Sequence, residues 1–511
     1  MFAKIETAAL RGLAAREVSV EVDIKRGMSD FSLVGLPDAS VKEAEKRVES
    51  AIRNSDLEYP YARTTINLAP AEVRKTGSWY DLPIALGMLM ASGQVPVSAL
   101  DSTVALGELS LDGSLRPVPG VLSAALMCSK NSHSKMLVPA GNSAEASCFE
   151  GLSVYPVNHL AEAASFLRGD MQIEPQPVTS FDELLQRAAF ELDFADVKGQ
   201  EHAKRALEVA AAGGHNVLMM GPPGSGKTML ASRMPTILPP LTQEEAIEAS
   251  SVYSVAGMLG EERNLITTRP FRHPHHTISG PGLIGGGTIP QPGEISLAHN
   301  GVLFLDELME FPKHLLELLR QPMEDGQITI ARAQISSTFP SRFMLLAATN
   351  PCPCGYYGDP TRPCRCTMGE ILNYRKRLSG PLLDRIDIVL EVPRLTIEKI
   401  TGPSGETSAQ VRERVQKAWV RQQKRFRMRP NQRLNSQLRA GDIEKACVLD
   451  EAGTNLLNRA HERLGLTTRG YQSIKRVART IADLDGAEVI KVSHLAEAIQ
   501  YRAGEERLRN L

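Results

Sequence analysis

A glycine-rich segment that follows a short apolar run constrains the fold of this 511-residue chain more than any other feature. Residues 217–220 read Val-Leu-Met-Met, which is typical of a buried strand. Residues 221–228 then read Gly-Pro-Pro-Gly-Ser-Gly-Lys-Thr, and a helical pattern begins at Met229. A strand, a glycine-rich loop and a helix N-terminus together form a cradle of backbone N–H groups for phosphate. The spacing GxxxxGK[ST] therefore predicts an α/β fold with a parallel sheet and a nucleotide phosphate site.

Each position of this loop suits the binding of a nucleotide with its metal ion. Glycine lets the backbone pass close to a phosphate, the lysine reaches the β- and γ-phosphates, and the threonine hydroxyl binds Mg²⁺. ATP and Mg²⁺ are accordingly the expected cofactors. The candidate nucleotide-binding residues are Gly221, Pro222, Pro223, Gly224, Ser225, Gly226, Lys227 and Thr228.

Two later apolar runs end in polar residues and predict neighbouring strands of the same sheet. Residues 302–305 (Val-Leu-Phe-Leu) are followed by Asp306 and Glu307, and residues 343–348 are followed by Thr349 and Asn350. Ligands bind at the carboxyl ends of strands in α/β sheets. We expect Asp306 to bind Mg²⁺, Glu307 to polarise the attacking water and Asn350 to orient it; a turn-forming asparagine and a surface acidic pair are the alternatives.

An arginine after the third strand is a candidate for transition-state stabilisation. Arg385 lies in the segment 379–387, and it could contact a nucleotide held by a neighbouring subunit. The alternative is a local salt bridge to Asp384 or Asp387. Glu307, Asn350 and Arg385 form the candidate catalytic set.

Several longer motifs resemble the magnesium-chelatase-like AAA+ ATPases, and within them the competence-associated ComM group. The matching stretches are 269–277, 285–287, 292–302, 319–322 and 350–355. The resemblance implies a parallel α/β core with a helical lid, a homo-oligomeric ring (usually a hexamer) and ATP hydrolysis. For the ComM group it implies a DNA helicase that drives branch migration during recombination in natural transformation. It also implies that Asn350 is the first sensor, Arg385 a finger acting on the neighbouring subunit, and Arg469 a nucleotide-binding sensor of the lid.

The chain is expected to divide into four parts. Residues 1–168 alternate strand and helix patterns, with strands at 18–22, 31–34 and 64–68 and a helix at 41–54. Residues 169–179 are polar and proline-containing, and they predict a linker. The ATPase core spans 180–393, with an inserted loop or hairpin at 271–297 and a four-cysteine insertion at 352–366. A helical, basic lid spans 394–511.

The N-terminal part resembles the α+β proteolytic domain of Lon-type proteases, a fold that can use a Ser–Lys dyad. The matching helix spans 75–87, and the later turn at 113–122 offers no lysine in the corresponding place. A serine without a base to activate it is an ordinary hydroxyl. Ser78 is therefore predicted to be inactive, and the domain to serve assembly or DNA guidance.

Four of the seven cysteines fall within fifteen residues. Cys352, Cys354, Cys364 and Cys366 form the pattern CPC-x9-CRC. In a reducing compartment such clustering favours a metal over disulfides, and four thiolates suit tetrahedral Zn²⁺. The C-x-C spacing is tighter than the usual C-x2–4-C, so unligated loop thiols are the alternative.

Two regions are candidate DNA-binding surfaces. Residues 328–335 alternate like a strand of a hairpin, and Arg332 is a candidate either for DNA phosphate or for the next subunit's nucleotide. The second region, 411–433, carries nine basic residues and one acid, and Lys424, Arg425 and Arg427 are its candidate phosphate contacts. A solvated helix face is the alternative for such a charge run.

Charge and hydropathy favour a cytoplasmic protein with a polyanionic partner. Residues 394–511 contain 23 Lys and Arg against 14 Asp and Glu, a net charge of +9, whereas the whole chain has a net charge of −1. No secretion signal opens the chain and no apolar run is long enough to cross a membrane, so no membrane partner is expected. Two functions remain: a DNA-translocating motor or a chelatase-type chaperone that remodels a protein partner.

Overall fold

The computed structural model of the chain describes residues 1–131, 133–187, 189–260, 264–331, 336–426 and 434–509. In these ranges the strands are β1 Phe2–Arg11, β2 Ala14–Lys25, β3 Asp30–Val34, β4 Arg63–Ala69, β5 Thr103–Ala105, β6 Glu108–Leu109, β7 Leu115–Arg116, β8 Lys135–Pro139, β9 Ser153–Val157, β10 Val217–Met220, β11 Phe271–Arg272, β12 Gly285–Gly286, β13 Gln291–Pro292, β14 Val302–Leu305, β15 Gln327–Ala331, β16 Ser336–Pro340, β17 Met344–Thr349 and β18 Ile388–Glu391.

The α-helices of the same ranges follow in chain order. They are α1 Ala39–Lys42, α2 Ala44–Asn54, α3 Asp81–Ala91, α4 Val121–Lys130, α5 Ser143–Ala146, α6 Leu160–Arg168, α7 Phe181–Gln186, α8 Glu201–Gly213, α9 Lys227–Ser232, α10 Met234–Ile237, α11 Gln243–Val255, α12 Gly280–Ile284, α13 Glu294–Leu297, α14 Lys313–Leu318, α15 Arg320–Asp325, α16 Met368–Arg375, α17 Gly380–Leu383, α18 Ile397–Ile400, α19 Ser408–Arg425, α20 Ala440–Ala446, α21 Glu451–Leu464, α22 Thr468–Leu484 and α23 Val492–Arg509.

The N-terminal strands form a seven-stranded mixed sheet in the order β3-β4-β2-β1-β5-β8-β9. Val18, Val20 and Val22 alternate along β2 and are fully buried, because successive side chains of a strand point to opposite faces. Helix α3 packs against β1 and β2, and all of its residues are buried. The strands predicted at 18–22, 31–34 and 64–68 are confirmed. The helix predicted at 41–54 is interrupted at Glu43, between α1 and α2.

The second sheet contains five parallel strands in the order β11-β14-β17-β10-β18. Every residue of β10, β14 and β17 is buried, as expected for parallel strands covered by helices on both faces. The prediction of an α/β fold with a parallel sheet is confirmed. Because β14, β17 and β10 are adjacent, the residues that follow them meet at one edge.

The predicted insertion at 271–297 and the predicted hairpin strand at 328–335 match the structure to different degrees. The segment 271–297 contains β11, α12, the small hairpin β12–β13 and α13. The predicted strand 328–335 corresponds to β15, which ends at Ala331 and pairs with β16 in an antiparallel hairpin. Arg332 lies outside the described residues.

The C-terminal helices cover the sheet from the side of α8. The Trp419 indole N–H on α19 donates to the Ala211 carbonyl at 2.9 Å, and the Gln422 amide donates to the Ala212 carbonyl at 2.7 Å. These bonds satisfy carbonyls at the C-terminal end of α8 and fix α19 on it. Across the described ranges, none of the helices combines the length and the apolar character that crossing a membrane requires.

The seven-stranded sheet is packed against the ATPase core through α4 and α11. The Gly120 N–H donates to the Ser254 carbonyl at 2.9 Å, and the Ser254 hydroxyl donates to the Glu145 carboxylate at 2.5 Å. Burial raises the pKa of Glu145, while hydrogen bonds from Ser254 and Asn142 lower it. The buried Glu145 carboxylate is therefore hydrogen-bonded to Ser254 where α4 and α11 meet.

Candidate functional site

A cleft of about 720 Å³ lies at the carboxyl edge of the parallel sheet. Met220 at the end of β10 pairs with Thr349 at the end of β17, and Leu305 at the end of β14 pairs with Ala347. This register brings the loop 221–228, the acidic pair and Asn350 together around the cleft, as the sequence predicts. The volume is in the range of small-ligand sites.

The phosphate-binding loop has the backbone conformation that its glycines allow. Gly224 and Gly226 have φ values of 75° and 90°, in the left-handed region. Lys227 begins α9, and its ammonium donates to the carbonyls of Gly221 at 2.8 Å and Pro222 at 3.0 Å and to Asn350 Oδ1 at 3.3 Å. Burial lowers the pKa of Lys227, and the nearby carboxylates of the acidic pair oppose this shift. The lysine is thus held inside the cleft between the loop and the end of β17.

Oxygen ligands suited to a magnesium ion meet beside this loop. The Thr228 hydroxyl donates to Asp306 Oδ2 at 2.7 Å, and the other Asp306 oxygen accepts from the Glu307 N–H at 2.9 Å. Mg²⁺ in phosphate sites is held by one or two such oxygens together with the phosphates. The geometry therefore fits the predicted pairing of Thr228 with Asp306.

Glu307 adopts an unusual backbone conformation next to a histidine. Its φ of 50° and ψ of 45° place a non-glycine residue in the left-handed region, and its side chain is 55% exposed. His276 Nδ1 lies 3.4 Å from Glu307 Oε2. Left-handed non-glycine residues cluster at functional sites, where the surrounding structure maintains the strain. No sequence motif indicated that His276 contacts Glu307; its position shortly after β11, the neighbour of β14, is the signal that could have done so.

The cleft also contains residues that the sequence motifs did not identify. Lys198, Gln200 and Arg394 line it. The Gln200 amide donates to the carbonyls of Ser225 at 3.2 Å and Pro393 at 2.7 Å, which links the phosphate loop to the segment after β18. Lys198 and Arg394 add positive charge opposite the acidic pair.

A second cleft, of about 680 Å³, contains the two arginines predicted to act on nucleotide. Arg385 Nη2 lies 2.6 Å and Arg469 Nη2 lies 3.0 Å from the same oxygen, Oε1 of Glu324. The hydrogen bond and charge of Arg385, with Arg469 and Arg320 nearby, lower the pKa of Glu324. The two clefts share no lining residue. Arg385 and Arg469 therefore lie in one cleft, and the phosphate loop lies in the other. Arg385 therefore forms an ion pair with Glu324, a residue that the sequence did not indicate, whereas Asp384 and Asp387 were the local partners considered from the sequence.

The four clustered cysteines meet in space. Cys352 Sγ lies 3.4 Å from Cys354 Sγ and 3.7 Å from Cys364 Sγ, and the sulfurs of Cys354 and Cys364 are 3.6 Å apart. With Cys366 included, all four sulfurs lie within 4.8 Å of one another. A tetrahedron of sulfurs at about 2.3 Å from a zinc ion has edges of about 3.8 Å. The close C-x-C spacing is therefore compatible with one tetrahedral ion.

The basic helix α19 uses several of its charges within the chain. Arg425 donates from both terminal nitrogens to Asp483, at 2.9 and 2.6 Å, and Asp483 is almost completely buried. Arg414 pairs with Glu208 and Glu406. Lys424 is exposed, and within the described ranges no hydrogen bond or ion pair is found for it. Arg427 lies outside the described residues, so Lys424 is the one candidate of this region that is both described and free to bind a ligand.

Comparisons with known proteins agree with this architecture. Three family models match: "Magnesium chelatase, subunit ChlI" over residues 193–400, "Subunit ChlI of Mg-chelatase" over 20–142, and "Magnesium chelatase, subunit ChlI C-terminal" over 405–502. Competence protein ComM of Haemophilus influenzae is 45% identical over 99% of this chain and 98% of its own length. Uncharacterized protein YifB of Escherichia coli is 44% identical with the same coverage. The magnesium-chelatase 38 kDa subunit of Rhodobacter capsulatus is 27% identical over 31% of this chain and 50% of its own length. The chain therefore belongs to the magnesium-chelatase-like AAA+ ATPases, in the group that contains ComM and YifB.

Proposed function

We propose that this chain is an ATP-dependent, ring-forming DNA motor, a helicase that promotes branch migration in homologous recombination during natural transformation. The observation that carries the proposal is the convergence of Lys227, Thr228, Asp306, Glu307 and Asn350 on one cleft. In this proposal the loop 221–228 binds the phosphates, and Thr228 and Asp306 hold the shell of Mg²⁺, which neutralises charge on the phosphates. Glu307 polarises the attacking water, and Asn350 orients it.

The separation of the two clefts supports assembly into a ring. Arg385, the predicted finger, and Arg469, the predicted lid sensor, both line the second cleft, and neither lines the first cleft of its own chain. A head-to-tail arrangement of copies would bring the second cleft of one subunit to the first cleft of the next, and such contacts close into rings. We propose a homo-oligomer, a hexamer by family resemblance, in which both arginines contact the neighbouring subunit's nucleotide.

We also propose a domain assignment for each part of the chain. Residues 180–393 are the ATPase core, 394–511 the basic lid, and 169–179 a linker after a Lon-protease-like domain at 1–168. In that domain the Ser78 hydroxyl donates to Glu108 and the buried Lys75 ammonium donates to the Pro70 carbonyl. These different partners support a domain without a catalytic Ser–Lys dyad.

Three observations support DNA as the proposed partner. The Haemophilus influenzae relative is a competence protein, competence being the uptake of DNA, and the lid of this chain has a net charge of +9. The β15–β16 hairpin also presents an exposed row of small polar residues, including Thr329 and Thr338, whose hydroxyls are 3.1 Å apart. We propose that this hairpin faces the central pore and that Arg332, which lies outside the described residues, contacts either the DNA phosphates or the next subunit's nucleotide.

The decisive experiment measures ATP turnover and strand separation together. Purified protein is expected to hydrolyse ATP faster with DNA and to unwind forked and Holliday-type substrates only when ATP is hydrolysed. ATPase activity without any DNA stimulation or unwinding would instead favour the chelatase-type chaperone that remodels a protein partner.

DNA affinity is expected to fall with salt, because Lys and Arg displace counterions from phosphates. The slope of log K against log salt should be about −0.9 per phosphate contacted in duplex and about −0.7 in single strands. Lys424→Glu should make that slope shallower by about 1, with equal loss on unrelated sequences. Fluorescence anisotropy over a salt series measures this, with Lys130→Glu at the end of α4 as the matched charge reversal.

Arg425→Glu is unsuitable for that experiment. It would remove one of the two arginines that pair with the buried Asp483, leaving Arg479 at 3.1 Å, and would place a second carboxylate beside it, so a loss of stability is expected. An unchanged slope in Lys424→Glu would contradict the role of α19 in DNA binding. Loss of affinity in Lys130→Glu as well would show that the effect is one of net charge alone.

We also propose that Cys352, Cys354, Cys364 and Cys366 bind Zn²⁺. Metal analysis of protein purified without added metal is expected to give about one zinc per chain, since four thiolates complete a structural site. The double variant Cys364→Ser, Cys366→Ser should lose it. The matched control is Cys148→Ser, which removes a thiol that hydrogen-bonds the Ala144 carbonyl elsewhere in the chain. Zinc-free wild-type protein, or zinc retained by the double variant, would contradict this site.

A further inference from the structure

The cysteine cluster is joined directly to the nucleotide cleft. Thr349 ends β17, and Asn350 is separated from Cys352 by one residue. The Thr349 carbonyl accepts from the Gly221 N–H at 3.2 Å, and Asn350 Oδ1 accepts from Lys227 at 3.3 Å. Cys352 therefore belongs to the same short stretch of backbone that carries Asn350 in the cleft.

The cluster also packs against the phosphate loop itself. Gly355, in the turn after Cys354, has a φ of 86°, and its N–H donates to the Cys352 carbonyl at 2.9 Å. A Cβ at this position would lie only 2.5 Å from Cδ of Pro223. Such a contact requires atoms to shift, so the turn and the loop 221–228 are in close contact at Pro223.

Two arginine side chains connect the cysteine-containing segment 351–357 to helix α16 and to the phosphate loop. The buried Arg375 donates from two nitrogens to the Pro351 carbonyl, each at 3.3 Å, and its guanidinium lies over the Tyr357 ring at 5.3 Å. Arg394, which lines the cleft, lies over the Tyr356 ring at 5.7 Å and approaches the Pro223 carbonyl at 3.5 Å. The segment 351–357 thus bridges the helix α16 and the nucleotide cleft.

Backbone N–H groups are arranged around the sulfurs as in a metal–thiolate site. The N–H of Tyr357 points at Cys352 Sγ at 3.3 Å, that of Cys354 at Cys366 Sγ and that of Cys366 at Cys364 Sγ, both at 3.4 Å. Hydrogen bonds of this kind orient metal ligands. A zinc ion bound by all four sulfurs would tie the two C-x-C pairs together, whereas the metal-free thiols take up protons and are joined only by weak S–H hydrogen bonds. Removing the cation should therefore open the segment and release both Asn350 and the turn at Gly355.

We propose that Zn²⁺ at the four cysteines positions Asn350 and the phosphate loop, so that zinc occupancy regulates ATP binding. The inference rests on the nucleotide and zinc sites proposed above. In this proposal the zinc ion is an effector of ATP binding. Two ligands whose binding is coupled change each other's affinity by the same factor. Couplings of this type change affinity by about 5–150-fold.

The test measures the affinity of a fluorescent ATP analogue for the full chain in three states: as purified, after treatment with a zinc-selective chelator, and after zinc is added back. Affinity is expected to fall at least about 5-fold on chelation and to return with Zn²⁺ but not with additional Mg²⁺. Cys148→Ser should behave as wild type. Cys364→Ser, Cys366→Ser should start at the low affinity and not respond to zinc.

The reciprocal measurement needs no variant of the cluster and no metal-free protein. A non-hydrolysable ATP analogue with Mg²⁺ is expected to slow the transfer of zinc from wild-type protein to the chelator, and to have no such effect on Lys227→Ala. Zinc-loaded protein with the same ATP affinity before and after chelation would overturn the coupling while leaving both sites in place. Absence of zinc would overturn the metal site together with the inference. Absence of nucleotide binding in zinc-loaded protein would overturn the proposed function.

Discussion

Glu307→Gln is expected to abolish most ATP turnover while leaving nucleotide binding intact. The amide keeps the size of the side chain and can still contact His276, but it does not polarise water as a carboxylate does. Loss of a well-placed general base typically costs about 10²–10⁴ in rate, which corresponds to about 3–5 kcal/mol. Steady-state ATPase assays and titration with a fluorescent ATP analogue measure the two properties separately.

Two further variants test whether the loss of turnover is specific to the Glu307 carboxylate. Glu310→Gln removes a nearby exposed carboxylate whose partner is Arg377, and its turnover should stay within about 2-fold of wild type, as for surface substitutions in general. Lys227→Ala should lose binding itself, because the ammonium that would contact the phosphates is gone. Turnover in Glu307→Gln similar to wild type would remove this residue from the role and direct attention to its neighbour His276.

Local motifs predicted the first cleft because its parts are local. The loop 221–228, the pair Asp306–Glu307 and Asn350 each follow a short, fully buried strand, and parallel strands bring their carboxyl ends to one edge of a sheet. The sequence did not predict the helix break at Glu43 or the small helices within 271–297. Their residues carry no periodic pattern long enough to distinguish a short helix from a loop.

Contacts between distant positions account for what the sequence did not predict. Arg469 and Glu324 are 145 positions apart, and no pattern within either segment indicates that they meet. In the sequence Arg425 is one of the nine basic residues of 411–433. In the structure it pairs with Asp483, which lies 58 positions later on α22. The cysteines show the converse: the C-x-C spacing is tighter than that of common zinc sites and counted against one shared ion, yet the four sulfurs lie within 4.8 Å of one another.

Arg385→Ala is expected to reduce turnover by about 10³–10⁵ if its guanidinium stabilises transition-state charge on the neighbouring subunit's nucleotide. The position of Arg385 beside Glu324 and Arg469 in the second cleft is the reason to expect action between subunits. Arg53→Ala, which removes an exposed arginine paired with Glu49 on α2, is the matched control and should retain turnover. Light scattering in parallel establishes whether each variant still assembles.

Mixing two inactive variants distinguishes action between subunits from action within one chain. In a mixed ring of Arg385→Ala and Glu307→Gln subunits, some interfaces join an intact Arg385 to an intact Glu307. Those interfaces should restore part of the ATPase activity, and wild-type turnover per chain should rise steeply with protein concentration because assembly precedes catalysis. If Arg385 acted on the nucleotide of its own chain, every subunit in the mixture would lack one group and no activity would return. An active monomer with concentration-independent turnover would exclude the ring, and the arrangement of Arg385 and Arg469 around Glu324 would then be a structural ion-pair network.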